Sequence, residues 1–320
     1  MSTLPGLTEI ERAAVLVHAL IPPTPQFEWP LLSVRCGCTL IVKHENHTSV
    51  GAFKVRGGIV YMDTLMRTQP DVPGIVSATR GNHGQSLAFA AGRYNIPVAI
   101  VVPHGNSTEK NAAMRALGAD VIEEGHDFQA AVEVAARIAT ERGWHRVPSY
   151  DPLLVRGVAT YSLELFREHP DIHTMYVPIG LGSGISGAIA ARNALGLDTR
   201  IVGVVSTGAP AYALSFHAGE PVAHDVTTVL ADGMSCRVPV PAALDVILAG
   251  ADRIVEVSDD DIAAAMRAYF TDTHNVAEGA GAAALAAVIQ ERDLVAGRKI
   301  AVVLSGGNVD KSVFAGLLAM

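Results

Sequence analysis

Short, apolar, β-rich runs alternate with stretches of helical spacing through most of this chain, and that alternation admits few architectures. Strands are expected over 39–45, 74–79, 98–103, 120–124, 175–180, 200–206 and 299–304. Helices are expected over 82–94, 108–117, 127–143 and 184–195, with a short one closing the chain. Strands joined through helices run parallel and are covered on both faces, so the expected fold class is α/β, with parallel twisted sheets flanked by helices. At 49% hydrophobic and 18% charged residues, the 320-residue chain can fill such a core. The stretch 74–150 contains complete strand–helix units of its own and is expected to form a small domain. Residues 1–73 and 151–320 then make up a larger, discontinuous domain.

Composition removes several function classes. The net charge is −8 and no basic run occurs, which argues against a nucleic-acid partner. No segment approaches the roughly 18 consecutive apolar residues of a membrane span. The segment from Met1 to Glu11 lacks the basic start of a secretory signal. Cys36, Cys38 and Cys236 are an odd set with a single Cys-x-Cys, so buried thiols are expected, and a cytoplasmic location.

Within this frame the stretch Gly51-Ala52-Phe53-Lys54-Val55-Arg56 stands out. A lone lysine in a short apolar run, between a strand and a helix, is partly desolvated. Desolvation lowers an amine's pKa and makes it a candidate nucleophile able to form a Schiff base. Read alone, the pattern more often marks a surface lysine lying along apolar neighbours.

Three further motifs sit at expected strand-to-helix junctions. Gly180-Leu181-Gly182-Ser183-Gly184 follows a strand and opens a helix, as a phosphate cup would. Its spacing is not that of a dinucleotide loop, and it lacks the Lys-Ser/Thr end of a triphosphate loop, so a smaller phosphate is expected. Ser77-Ala78-Thr79-Arg80-Gly81-Asn82-His83-Gly84-Gln85 offers free N–H groups at a helix start, suited to a carboxylate. Plain capping by Thr79 or Asn82 is the alternative. Ser305-Gly306-Gly307-Asn308 ends an apolar strand and exposes a hydroxyl.

Together and in this order, the four motifs resemble those of the fold-type-II enzymes that use pyridoxal 5′-phosphate (PLP), with the two-domain architecture of the tryptophan synthase β chain. The threonine/serine dehydratase and serine racemase branch is the most similar, and the resemblance runs from Thr24-Pro25 to Asp310. It implies that Lys54 holds the cofactor and acts as catalytic base, with Phe53 beside the ring. It implies phosphate binding by Gly180, Leu181, Gly182, Ser183 and Gly184, and contacts from Asn82 to the phenolic oxygen and from Ser305 to the ring nitrogen. Gly233 and Glu278 complete the cofactor's surroundings, and Thr79, Arg80, Gly81, Asn82 and His83 surround the substrate carboxylate. A small amino-acid substrate and a homodimer are further implications.

The chain departs from this pattern in ways that bear on activity. Ala52 stands where serine is usual, and Arg80 where racemases carry a proton-donating serine. Arginine stays protonated, so racemisation is disfavoured and elimination favoured. Arg80 could instead grip a carboxylate with two prongs. The stretch 205–211 lacks the acids with which many relatives bind a divalent cation, so no metal is expected. The expected activity is β-elimination from a β-hydroxy-α-amino acid, with serine, threonine and 3-phenylserine as candidate substrates and hydroxylated acidic amino acids next. β-Replacement, racemisation and non-catalytic binding are the alternatives.

Two other stretches attract attention. His44-Glu45-Asn46-His47 lacks metalloprotease spacing and is expected to shape the substrate pocket. Ser258 before Asp259, Asp260 and Asp261 reads as a capped, solvated helix start.

Overall fold

The computed structural model describes residues 4–319, which contain two sheets. The strands are β1 (Gln26–Glu28), β2 (Thr39–His44), β3 (Ile75–Ala78), β4 (Val98–Val102), β5 (Asp120–Glu123), β6 (His145–Arg146), β7 (Thr174–Pro178), β8 (Arg200–Ser206), β9 (Arg253–Val257) and β10 (Lys299–Leu304). The larger sheet has the order β1-β2-β10-β7-β8-β9 and the smaller β5-β4-β3-β6. Every pairing is parallel except that of β1, which runs antiparallel along the edge of β2. The chain is thus α/β with parallel sheets, as its alternation requires. Strands β1, β6 and β9 are additions to that reading. The first two are three and two residues long, too short to show a period.

Local chemistry sets the element boundaries. The Asp127 side chain accepts from the Ala130 N–H, so its helix begins at Phe128, and Gly143, left-handed at φ 64°, ends it at Arg142. Ser258 caps the Asp259–Thr273 helix with Asp261 answering from the third position, a capping box as the sequence suggests.

The central strands of the larger sheet are buried on both faces. One face packs on the Gly279–Gln290 helix, ten of whose twelve residues are buried. Its small residues let backbones meet: a Cβ on Gly281 would lie 2.2 Å from the Gly306 carbonyl oxygen. The other face packs on the Pro152–Glu168 and Ser183–Ala194 helices. The Lys54–Thr68 helix seats Val55, Ile59 and Met62 against Ile75, Leu87 and Val98 of the smaller sheet's core. Lys54, its first residue, therefore lies where the two sheets meet.

All three cysteines are free and buried. Burial pushes Cys36 up to about 12 and Cys38 to about 11, which keeps both as inert thiols. No helix among the described residues is long and apolar enough to cross a membrane.

Candidate active site

Four loops leave the carboxyl ends of β2, β3, β7 and β10 and converge, which is where parallel α/β sheets place their sites. Backbone hydrogen bonds tie the lysine loop to the serine loop. Phe53 donates its N–H to the Ser305 carbonyl (3.1 Å), Gly307 donates to Gly51 (2.9 Å), and Ala52 bridges Gly306. The Ser86 hydroxyl donates to the Lys54 carbonyl (2.6 Å), fixing the lysine's backbone against the Asn82–Gly92 helix.

A chain of polar side chains joins the loops. Asn308 donates to Asn82 Oδ1 (2.8 Å), and Asn82 Nδ2 donates to Glu278 Oε1 (2.6 Å). Lys110 Nζ lies 3.3 Å from Glu278 Oε2 and 2.7 Å from Asp232 Oδ2. Burial lowers the Lys110 pKa, but the charges of Glu278 and Asp232 outweigh it, so the amine stays protonated. Burial pushes the Glu278 carboxyl up, and Lys110 only partly opposes this. Glycine is required here: a Cβ on Gly306 would lie 2.3 Å from Glu278 Oε1, and one on Gly81, at φ +149°, 2.5 Å from the Lys110 side chain.

Lys54 lines a small inner cavity of about 80 Å³ together with Thr79, Arg80, Gly81, Asn82 and His83. Its Nζ lies 4.4 Å from the centre of the Phe53 ring. Desolvation brings the amine down to about 8, and the charge of Glu278 opposes this only in part. His83 is forced neutral, at about 3, by burial first and by the Lys54 charge second. The first turn of the Asn82–Gly92 helix leaves the N–H groups of Asn82, His83 and Gly84 without intrahelical acceptors, while Thr79 Oγ1 accepts from the Gly81 N–H (2.9 Å).

The Gly180–Gly184 turn opens the Ser183–Ala194 helix, and Gly182 is left-handed at φ +98°. A Cβ on Gly180 would lie 2.4 Å from the Gly233 carbonyl oxygen, so the Gly233 loop packs directly on this turn. Tyr212 Oη donates to the Leu181 carbonyl (3.0 Å) and accepts from the Val240 N–H (3.1 Å). Tyr161 Oη donates to the Gly184 carbonyl (3.2 Å) and meets the Phe53 ring edge-on. Tyrosines thus take two of the turn's carbonyls.

Each residue singled out from the sequence lies in or against this junction, but two expectations about its surroundings need correction. The stretch 44–47 does not line either cavity beside Lys54. His44 is fully buried, and its Nε2 accepts from Trp29 Nε1 (2.9 Å). Glu45 pairs with Arg56 beneath the site (2.8 Å). Asp259 is more than a solvated helix end. It accepts from Thr228 Oγ1 (2.6 Å) and from the Val229 and Leu230 N–H groups (3.0 and 3.2 Å), and so pins the loop leading to Gly233. Tyr212, Tyr161 and Lys110 escaped the sequence reading because neither tyrosines nor a helical lysine carry a local signal.

A family model described as pyridoxal-phosphate dependent enzyme matches residues 17–306. The chain belongs to the pyridoxal-phosphate dependent enzymes. It is similar to an L-threonine ammonia-lyase of Thermotoga maritima, with 33% identity over 308 residues that cover 95% of this chain and 76% of the relative. It is also similar to the catabolic L-threonine dehydratase of Escherichia coli K12, with 32% identity over 283 residues covering 88% of this chain and 86% of the relative. Among solved structures, maize serine racemase aligns with a TM-score of 0.91 at 28% identity, covering 99% of this chain and 98% of that one.

The residues present fit this PLP enzyme's cofactor. The Lys54 amine has an aromatic ring and a distant charge as neighbours instead of a salt bridge. The Ser305 hydroxyl is buried with only a 3.5 Å contact to the Ala280 carbonyl, leaving it free for a stronger partner. At the Gly180–Gly184 turn, a Cβ on Gly180 or Gly182 would lie 2.4 Å from the Gly233 carbonyl oxygen or 2.6 Å from the Ala243 Cβ, so the backbone is bare there.

Proposed function

We propose that this PLP-dependent enzyme is a lyase that eliminates water from a β-hydroxy-α-amino acid and releases a 2-oxo acid and ammonia. The observation that carries the reading is the Lys54 amine, brought to about 8 where the loops from four strand ends converge, with no carboxylate paired to it. Bound PLP supplies an electron sink for the carbanion at the substrate's Cα. In this reading the N–H groups of Asn82, His83 and Gly84 hold the substrate carboxylate. Lys54 Nζ takes the Cα proton, a task suited to a base with pKa near the working pH. The Gly180–Gly184 turn would hold the cofactor phosphate, with Phe53, Asn82, Gly233 and Glu278 as the residues that would hold the ring. Asn82 keeps one amide N–H beyond its bonds to Glu278 and Asn308. The Ser305 hydroxyl would be the partner of the ring nitrogen, and as a neutral group it would leave that nitrogen uncharged. Neutral His83 contributes no competing cation.

Arg80 separates this reading from racemisation. A racemase needs a second proton carrier opposite the lysine, and a guanidinium cannot release a proton near neutral pH. We take residues 74–150 as a small domain closing on the larger one of 1–73 and 151–320, with Lys110 as the tie across the cleft. A homodimer in the cytoplasm suits the buried thiols and the exposed Leu31 and Val34, which share one face of the Pro30–Cys36 helix. We also take the reaction to need no divalent cation, which EDTA treatment checks.

The test is a joint assay of ammonia and 2-oxo acid on the holoenzyme with L- and D-serine, threonine and 3-phenylserine, with and without an added thiol. Equal release of both products from a β-hydroxy substrate is expected. Incorporation of the thiol would make the enzyme a β-replacement synthase, and interconversion of enantiomers without ammonia would make it a racemase.

A further inference from the structure

Cations around the cavity divide sharply by partner. Lys110 has Asp232 and Glu278, and Arg237 has Asp127 at 3.6 Å. Arg80 has no carboxylate within ion-pair distance among the described residues, and its Nε is buried without an acceptor. Its side chain lines both the inner cavity that holds Lys54 and an outer cavity of about 830 Å³, which also share Lys110, Phe128 and Asp232. A guanidinium is a planar fork of five donors whose natural complement is a carboxylate. Leaving one unpaired beside a cavity disfavours the empty site unless a ligand completes it.

The loop that carries Arg80 also starts the Asn82–Gly92 helix, whose first N–H groups form a separate anion-binding edge. The two features serve different ends of one small molecule. A substrate with a single carboxylate fills the helix edge and leaves the guanidinium bare. A substrate with two carboxylates a few bonds apart fills both and keeps its amine and Cα near Lys54.

We infer that Arg80 is a specificity-determining residue that binds a second carboxylate, so that the preferred substrate is a β-hydroxy-α-amino dicarboxylic acid. The inference rests on the β-elimination reading above and narrows it. The bonds broken are Cα–H and Cβ–O, and the proton and hydroxide leave as water. The resulting enamine becomes an imine, which takes up water to give a 2-oxo dicarboxylic acid and ammonia. No oxidant or reductant is involved. Phe128 also lines both cavities and would suit an aryl group, but a phenyl ring gives the buried Nε no acceptor.

The test has two arms. Ammonia release by the holoenzyme is measured with threo-3-hydroxyaspartate, threonine and 3-phenylserine, for native protein and for Arg80→Ala and Arg80→Lys. The native enzyme is expected to favour hydroxyaspartate. Arg80→Ala is expected to lower kcat/KM for it about 100-fold more than for threonine, chiefly through KM, with partial recovery in Arg80→Lys. In the second arm, succinate and butyrate binding are compared by calorimetry with no turnover. Succinate is expected to bind more tightly, and Arg80→Ala to remove the difference. An unchanged substrate ratio together with equal binding of succinate and butyrate overturns the inference, as does a preference for phenylserine that Arg80→Ala abolishes. If no β-hydroxy amino acid yields ammonia, the elimination reading falls, and the binding arm still decides whether Arg80 grips a second carboxylate.

Discussion

Two charged regions, one buried and one half-buried, lie on either side of the first turn of the Lys54–Thr68 helix, and they are built on opposite terms. Beneath it, fully buried Arg56 spends its donors on four side chains. Nε and Nη2 reach the two oxygens of Glu45 (2.8 and 3.0 Å), Nη1 and Nη2 reach Glu164 (2.6 and 3.0 Å), and Thr160 and Thr24 take the remainder (3.0 and 3.3 Å). Lys43 adds a second cation to Glu164 at 2.6 Å. Two cations thus face two carboxylates, with every guanidinium donor of Arg56 engaged. Above it, Lys54 and Arg80 face a cavity, and among the described residues no carboxylate is paired to either. The lower region fixes the helix; the upper region leaves its donors uncommitted, as the proposed roles toward cofactor and substrate require. A buried charge that is paired serves geometry, and one that is unpaired serves chemistry.

Breaking the upper region has the largest effect. Lys54→Ala is expected to lower kcat by at least about 10³-fold while circular dichroism stays native. Breaking the lower one strikes stability instead. Arg56→Met takes from Glu45 its only ion-pair partner among the described residues and leaves Glu164 with Lys43, and is expected to destabilise by about 3–5 kcal/mol in urea unfolding. Arg56→Lys should recover only part, because an ammonium cannot fork between two carboxylates. The lower region also sets an acid limit. Burial alone would raise the Glu164 pKa, but Arg56 and then Lys43 bring it from 4.5 down to about 2. Its contribution is therefore complete above about pH 4.5 and is lost as pH falls toward 2, which a pH series of unfolding curves detects.

Smaller effects sharpen the contrast. Lys54 is lowered from 10.5 to about 8 in the folded protein, so the unfolded chain binds the extra proton between those values. The cofactor-free protein is thus penalised below pH 8 and recovers as pH rises to 10.5. Lys54→Met should raise the melting temperature of the cofactor-free protein by a few degrees at pH 7, about 2–4 °C per kcal/mol, with the gain shrinking by pH 10. Tyr212→Phe removes the bond to Leu181 at a cost of about 1 kcal/mol and should weaken PLP retention roughly 3- to 10-fold in dialysis.

Much of this arrangement was legible in the sequence, for a physical reason. The loops at Lys54, Gly81, Gly180 and Ser305 are marked by glycines because backbones and side chains crowd there, and crowding leaves a local trace. The strands of the two sheet centres were legible because burial on both faces demands unbroken apolar runs such as Val98–Val102 and 300–304. The balancing residues left no such trace. Arg56 meets Glu164 across 108 positions, and Lys110 meets Asp232 across 122. Asp259 looked like an ordinary capping acid because its partners, Thr228 to Leu230, lie on a loop with no period. His44 and Glu45 looked like pocket residues because they precede the lysine loop, yet the turn between them and Lys54 directs them to the opposite side.

The most direct test of the unpaired amine is borohydride reduction of the holoenzyme, followed by proteolysis and mass mapping of every lysine. The account requires the reduced cofactor on Lys54 alone, with Lys43 and Lys110 unmodified because each is held by carboxylates. Cofactor fixed to Lys43 or Lys110, or a Lys54 peptide left unmodified in active enzyme, would contradict it.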